Sequence, residues 1–280
     1  MIVCCTVKRI GILYHPKVEK SERFAREIEA FLQGRGIRCW VHSSWDEGEA
    51  RGSLEGCDLV VSVGGDGTIL RAARIIFPLA IPVVGVNFGN LGFMTELEAG
   101  DAREKLVEII GGAGWIEQRA VLQAVVISSG NTYHALNDVV IGRGRFLRLV
   151  NIEVAIDDEI FTTYRADAVI IATATGSTGY SMAANGPILY PESRDILMKA
   201  VCPHLSMDKA LVLAPSSTIA LKAFTNHEAM LSMDGQVEEK LKSGDVVEVC
   251  MAKQTSRFLR LRPKDSFYKT LLSKLKGKSI

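Results

Sequence analysis

Up to about residue 112 this chain alternates short apolar runs with amphipathic stretches, and after about residue 115 the amphipathic stretches all but stop. "VKRIGILYH", "IRCWV", "DLVVSV" and "IPVVGVN" read as strands. Between and after them, "SERFAREIEAFLQGRG", "GTILRAARII" and "DAREKLVEII" read as helices, the first with Phe24, Ile28, Phe31 and Leu32 on one face. Ser21 is placed to cap that helix and Gly34 to end it. Strands alternating with amphipathic helices predict a parallel sheet covered on both faces. In such sheets the functional loops lie at the carboxyl ends of the strands. Beyond the change, "WIEQRAVLQAVVI", "TYHALNDVVI", "LRLVNIEVAID", "EIFTTYRADAVIIAT", "STIALKAF", "AMLSMD" and "DVVEVCMA" are strand-like and separated by polar turns. The expected organisation is therefore an α/β domain over 1–114 and an all-β, sandwich-like domain over 115–262. A helix over 263–280 carries Phe267, Leu271, Leu272 and Leu275 at helical spacing and is free to pack back on the first domain.

Charge and cysteine usage narrow the function classes. A net charge of +1 gives no global field for nucleic acid. None of the six cysteines makes a C-x-x-C pair, which suits buried free thiols in a reducing cytoplasm. The N-terminus lacks the pattern of a signal peptide. The uncharged stretch from Ala168 to Pro191 holds too many Gly, Ser, Thr, Asn and Pro residues for a membrane helix. The five histidines are scattered, so no zinc-type spacing appears.

Chemistry concentrates first in Gly64-Gly65-Asp66-Gly67-Thr68, where a β-branched run breaks and a helix begins. Glycines there let the backbone take positive φ and approach a ligand, and the N–H groups opening the helix favour an anion. A carboxylate beside phosphates makes sense if it takes a proton from an attacking hydroxyl or helps hold a cation. The same five residues also describe an Asp-Gly turn that caps a helix. No Lys-Ser or Lys-Thr follows, so this is not a P-loop.

"GGDGT" resembles the signature of a kinase superfamily that includes NAD kinases, diacylglycerol and sphingosine kinases, and 6-phosphofructokinases. Four further stretches, in matching order and spacing, make the chain similar to NAD kinases over nearly its whole length. They are "VNFGNLGFMTE" (86–96), "ALNDVVI" (135–141), "RADAVIIATATGSTGYSMAANGP" (165–187), and the pair "CPHLSMDKALVL" and "LSMDGQ". The resemblance implies transfer of the terminal phosphoryl of ATP to the 2′-hydroxyl of the adenosine ribose of NAD. It makes the β-rich domain dinucleotide-binding, with Mg²⁺ arriving on ATP and no dedicated metal ligands. It also implies a homodimer or homotetramer.

Residue by residue, the resemblance makes Asp66 the base. A carboxylate is a weak base for a sugar hydroxyl, so Asp66 mainly orients it and takes the proton late. Gly67 and Thr68 offer donors at the helix start. Arg71, one turn on, is placed to meet a diphosphate or to be a solvated helix arginine. Asn137 and Asp138 suit neighbouring ribose hydroxyls, with Asp where many members have Glu, one methylene shorter but still charged. Thr175, Thr178, Gly179, Tyr180, Ser181, Met182 and Ala183 would lie along the dinucleotide. Gly179 often aligns with Ala, Ala183 with a hydroxyl residue, and Tyr180 suits packing or a lid. Asp167 would meet the nicotinamide amide and Arg165 the same dinucleotide, on one face if the chain is extended. Ala166-Asp167-Ala168 replaces a common Gly-Asp-Gly. Arg148 matches a basic position, Gln236 a contact position, and Phe93 either stacks on ligand or packs in the core. Two alternatives stay open: another small-hydroxyl or lipid kinase sharing the turn, and a dinucleotide-binding sensor without catalysis.

Overall fold

The computed structural model describes residues 7–89, 92–144, 149–205 and 207–275. The described chain forms two compact units, residues 1–118 with 256–280, and residues 119–255. No helix among the described residues is long and apolar enough to cross a membrane.

The first unit is an α/β layer. It runs β1 (Arg9–Tyr14), α1 (Glu19–Gln33), β2 (Arg38–Ser43), α2 (Glu47–Gly52), β3 (Leu59–Val63), α3 (Asp66–Ile76), β4 (Val83–Asn87), β5 (Leu97–Glu98), α4 (Ala102–Ile110) and β6 (Trp115–Arg119). The sheet order is β2-β1-β3-β4, then a return strand Ser256–Arg260, then β6, with β5 also on β4. Strands β1 to β4 pair in parallel, as does the return strand with β4. Every residue of β3 and β4 is buried, which is why these strands read as unbroken apolar runs rather than alternating ones. The unit takes in both β6 and the return strand, so its limits differ from breaks at 114 and 262. Ser21 does not cap α1, which starts at Glu19 without a side-chain cap. Its hydroxyl instead donates to the Val63 carbonyl and accepts from the His15 N–H, tying the helix to the ends of β1 and β3. The terminal helix Ser266–Leu275 has no buried residue; Lys274 lies over the Phe93 ring.

The second unit contains β7 (Leu122–Val126), β8 (Thr132–Ala135), β9 (Asp138–Arg143), β10 (Val150–Ile156), β11 (Glu159–Ala166), β12 (Ala168–Ala172), the one-turn helix α5 (Tyr180–Ala183), β13 (Ile196–Val201), β14 (Leu211–Leu213), β15 (Ile219–Phe224), β16 (Ala229–Met233), β17 (Val237–Leu241) and β18 (Val246–Met251). Two antiparallel sheets, ordered β11-β10-β15-β18-β7-β8 and β14-β13-β12-β9-β16-β17, make the expected sandwich. Val150, Ile152, Ile219 and Leu221 of the first meet Val169, Ile171, Ile141 and Leu231 of the second in one core. The outer face of β12 is covered too, by Ala184 and Leu189.

Two runs that read as single strands are each divided. "WIEQRAVLQAVVI" breaks after Arg119, and "EIFTTYRADAVIIAT" breaks at Asp167, because the chain changes sheet at both points. The burial pattern carries the reason: β11 is largely exposed, whereas all five residues of β12 are buried. The expectation of buried thiols also needs correction. Cys57 is buried, but Cys39 and Cys250 are half-buried and Cys202 is exposed, while Cys4 and Cys5 lie outside the described residues.

Candidate active site

In the first unit the chemistry is built from the β3–α3 turn. Gly64 has φ +154°, and a Cβ there would stand 2.3 Å from Thr68 Oγ1. Gly65 does not need positive φ; it sits extended at φ −83° with open space where a Cβ would be. Asp66 is the first residue of α3, and its side chain does not cap the helix. Its carboxylate turns toward the 92–96 segment instead, where Oδ2 accepts the Phe93 N–H at 2.9 Å and Oδ1 the Met94 N–H at 3.1 Å. Gly92 is required beside it, since a Cβ there would lie 1.9 Å from Oδ1. The reading of this turn as a mere cap is thereby excluded. Each oxygen keeps lone-pair capacity for a further donor.

The 92–96 segment that grips Asp66 is itself pinned. Arg260, buried at the end of the return strand, donates to the Met94 carbonyl at 2.7 Å and to Glu117 Oε2 at 2.7 Å, and pairs with Glu96 at 3.3 Å. Glu96 Oε1 accepts the N–H groups of Leu261 and Arg262. These buried charges were not legible as partners, because 143 to 166 residues separate them in sequence.

Thr68 is buried and its hydroxyl has no hydrogen-bond partner among the described residues. Arg71 stands over the Trp45 ring at 4.9 Å, and burial together with nearby Arg74 holds its guanidinium below the usual arginine range. Phe93 is half-buried.

In the second unit four separate segments converge. The hairpin between β16 and β17 turns at Asp234 and Gly235, both with positive φ, closed by the Gln236 N–H on the Met233 carbonyl. The Asp234 carboxylate accepts the backbone N–H groups of Leu136, Asn137 and Asp138 at 3.0, 2.7 and 3.1 Å. That clasp presents Asn137 and Asp138 at the start of β9. Asn137 Oδ1 is buried without a partner. Asp138 is buried, and its carboxyl is pushed up to about 7, first by burial and then by the Asp234 charge. The shorter side chain therefore does not simply preserve the charge of a Glu, as the sequence suggested.

The 173–187 segment closes on the same two residues. Thr173 and Ser177 are buried and bond to the backbone at Leu136 and Ala174. Gly176 packs so tightly that a Cβ would lie 2.0 Å from the Asn137 carbonyl oxygen. A Cβ on Gly179 would stand 3.7 Å from Asn137 Nδ2 and 4.0 Å from Asp138 Oδ2. The Thr175 hydroxyl is occupied by buried Arg119 at 3.2 Å, and that of Thr178 by the Thr175 carbonyl. Ser181 is buried with an unpartnered hydroxyl beside Gly186, while Met182 is half-buried and Ala183 exposed.

A cavity of about 520 Å³ opens within this unit, lined among others by Asp167, Tyr180, Arg143, Ser232, Glu228 and Lys240. Arg143 pairs with Asp167 at 3.1 Å and Lys240 with Glu228 at 2.7 Å. Burial, then Asp167, raises the Tyr180 hydroxyl. Arg165 does not line this cavity: it lies exposed on β11, in the other sheet from β12, because the chain switches sheets at Asp167. Gln236 is half-buried at the hairpin end. Arg148 lies outside the described residues. The sequence reading missed Arg143, Ser232, Glu228 and Lys240; alternation along β16 was the signal that could have placed Ser232, whereas along β9 it puts Arg143 on the core face with Val139 and Ile141.

Comparison with known proteins finds two matching domains, the second of which runs on through the return strand. Residues 10–113 match the ATP-NAD kinase N-terminal domain and residues 136–261 the ATP-NAD kinase C-terminal domain. The NAD kinase of Dehalococcoides mccartyi is 42% identical over 274 residues, covering 96% of each chain. That of Chloroflexus aurantiacus is 37% identical over 273 residues, covering 96% of this chain and 99% of its own. Among solved structures, yeast NADH kinase complexed with NADH superposes with a TM-score of 0.86 at 24% identity, covering 99% of this chain and 90% of that one. An NAD kinase from Archaeoglobus fulgidus in complex with ATP gives 0.78 at 22% identity, covering 94% and 98%. These two likenesses concern the fold.

Proposed function

This chain belongs to the ATP-NAD kinase family, and on that premise we propose how its residues divide the reaction. It is an ATP-dependent NAD kinase. In the step it catalyses, the 2′-hydroxyl oxygen of the adenosine ribose forms a bond to the γ-phosphorus of ATP. The bond from that phosphorus to the β–γ bridging oxygen breaks, and ADP leaves with the electron pair. Asp66 orients the hydroxyl and accepts its proton as the new bond forms. The observation that carries this reading is the fixing of both Asp66 oxygens by the Phe93 and Met94 N–H groups, with no helix-capping duty. Such orientation makes proximity effective.

Thr68 and Arg71 are the proposed contacts to donor phosphates, with Gly67 beside them. Asn137 and Asp138 take the ribose hydroxyls, and the unpartnered Asn137 Oδ1 supports this. Asp167 and Tyr180, lining the cavity, receive the nicotinamide end; the 175–183 segment follows the dinucleotide. The divalent cation of this proposal arrives as Mg²⁺ carried on ATP, where it would neutralise phosphate charge. We also propose a homo-oligomer, supported by exposed Ile160 and Phe161 on the edge strand β11.

The test is NADP formation from NAD, ATP and Mg²⁺ by the native chain and by Asp66→Asn. The expected loss in kcat is about 10³-fold, with an unchanged circular dichroism spectrum. Full activity in the variant removes Asp66 from this role.

A further inference from the structure

Trp45, immediately after β2, keeps 43% of its surface exposed. Two cations from different elements stand over its ring. Lys17 Nζ, from the loop after β1, is 4.5 Å from the ring centroid, and Arg71 Cζ, from α3, is 4.9 Å away. His15 adds a tilted ring at 6.2 Å. A ring quadrupole holds cations in place but leaves their charge uncompensated. Among the described residues, no carboxylate pairs with Lys17 or Arg71; the nearby Glu47 is taken by Arg51 and Arg74. Two positive charges are thus gathered at the carboxyl ends of β1 and β2, neither in an ion pair among the described residues, with Glu47 acting on Arg71 only at longer range. Arg71 lies five residues after Asp66, about 7.5 Å along the helix axis. An anion with several charged oxygens in a row would meet both cations and reach toward the turn that carries Asp66.

We propose that Trp45 is a positioning residue that gathers Lys17 and Arg71 into a site for the polyphosphate chain of the phosphoryl donor. The inference rests on the reading of this chain as an ATP-dependent kinase, and adds Trp45 and Lys17 to the donor side. The chemistry recognised is a linear polyphosphate, whether the tail of ATP or an inorganic chain. The indole acts through the two cations rather than on the reacting atoms.

The test uses the full chain with Trp45→Leu, Trp45→Phe and Lys17→Gln. In Trp45→Leu and Lys17→Gln the KM for ATP rises about tenfold, while the KM for NAD stays within about twofold. Trp45→Phe keeps a ring and recovers most of the affinity. Calorimetric titration with inorganic tripolyphosphate supplies a readout independent of turnover: the native chain binds it, and Trp45→Leu and Lys17→Gln bind it more weakly. Should Trp45→Leu lose its native circular dichroism spectrum, Lys17→Gln, on an exposed side chain, still decides the matter. An unchanged KM for ATP, equal rises for ATP and NAD, or tripolyphosphate binding insensitive to both substitutions overturns the proposal. Tripolyphosphate acting as a donor in place of ATP supports an inorganic source; tripolyphosphate acting only as a competitor of ATP supports the nucleotide tail. A native chain that binds tripolyphosphate but forms no NADP overturns the kinase reading and leaves this site standing.

Discussion

Asp66 and the Asn137–Asp138 pair are both polar groups at strand ends, yet the chain holds them in different ways. Asp66 is aimed by its own turn: strand, glycine, glycine, helix, with only the 92–94 segment, 26 to 28 residues on, completing its grip. Asn137 and Asp138 have little local support. Their backbone is clasped by a carboxylate 96 to 98 residues away and is packed against a glycine some 40 residues on. A locally built site depends on steric room at a few positions. A remotely built one depends on hydrogen bonds that exist only once the sandwich has formed. The two should therefore fail differently: the first by misplacement in a folded protein, the second by loss of order and of substrate affinity together.

Gly92→Ala gives the largest expected break on the local side. Its methyl would enter the position of Asp66 Oδ1, forcing the carboxylate or the loop to move. Because small misplacements of a catalytic group cost rate steeply, kcat should fall about 10²-fold or more while the melting temperature changes little. Comparable activity with unchanged KM values would show that the grip on Asp66 is not needed.

Asp234→Ala is the matching break on the remote side. Three backbone N–H groups lose their acceptor, at about 1–3 kcal/mol for each that stays buried and unsatisfied. Chemical denaturation should show a loss of about 2–4 kcal/mol, and the KM for NAD should rise at least tenfold with the KM for ATP little changed. A variant that loses stability but keeps its KM for NAD would separate the clasp from substrate binding.

Between those extremes lies a dependence on pH that belongs to the remote side alone. Asp138 carries a carboxyl pushed up to about 7, chiefly by burial and secondarily by Asp234. In its proposed role it accepts a ribose hydroxyl as a carboxylate; protonated, it would lose that capacity on one oxygen. The kcat/KM for NAD should thus fall by up to about tenfold per unit as pH drops below about 7, with kcat/KM for ATP less affected. Stability should respond in the opposite sense. A folded-state value above the ordinary carboxyl range, about 4, means that the folded chain binds this proton more tightly than the unfolded one. Its contribution is fully present below that range and is lost as pH rises through about 7. Asp234→Asn, by removing the smaller cause, should move the acid limb of the NAD profile downward without abolishing it.

The same contrast governs what could be read from the residues. The turn at Asp66 was legible because its glycines, its acid and the start of its helix are contiguous, and the sandwich because its strands alternate. Its sheet changes at Arg119 and Asp167 were not, since the apolar runs continue through them and only the partner sheet differs. Ser21 looked like a cap because capping is a local pattern, whereas its bond to Val63 spans 42 residues. The Asp234 clasp, the Arg260 network and the cations over Trp45 escaped for one reason. Each pairs ordinary surface-type residues whose meeting is decided by the closed fold, not by spacing.

Thr68→Val carries the smallest expected effect and the sharpest sign. The native hydroxyl is buried in the local site and has no partner among the described residues, a cost that the empty chain bears. Valine is nearly the same shape and needs no partner, so the unliganded chain should gain up to about 1 kcal/mol and melt a few degrees higher. If that hydroxyl bonds a donor phosphate, the KM for ATP should at the same time rise up to about tenfold while the KM for NAD holds. Higher stability with weaker donor binding would mark Thr68 as a group kept unsatisfied for its ligand. Higher stability with unchanged kinetics would mark it as a residue of the turn alone, and would leave Asp66 and Arg71 as the side chains of the local site proposed to meet the reaction.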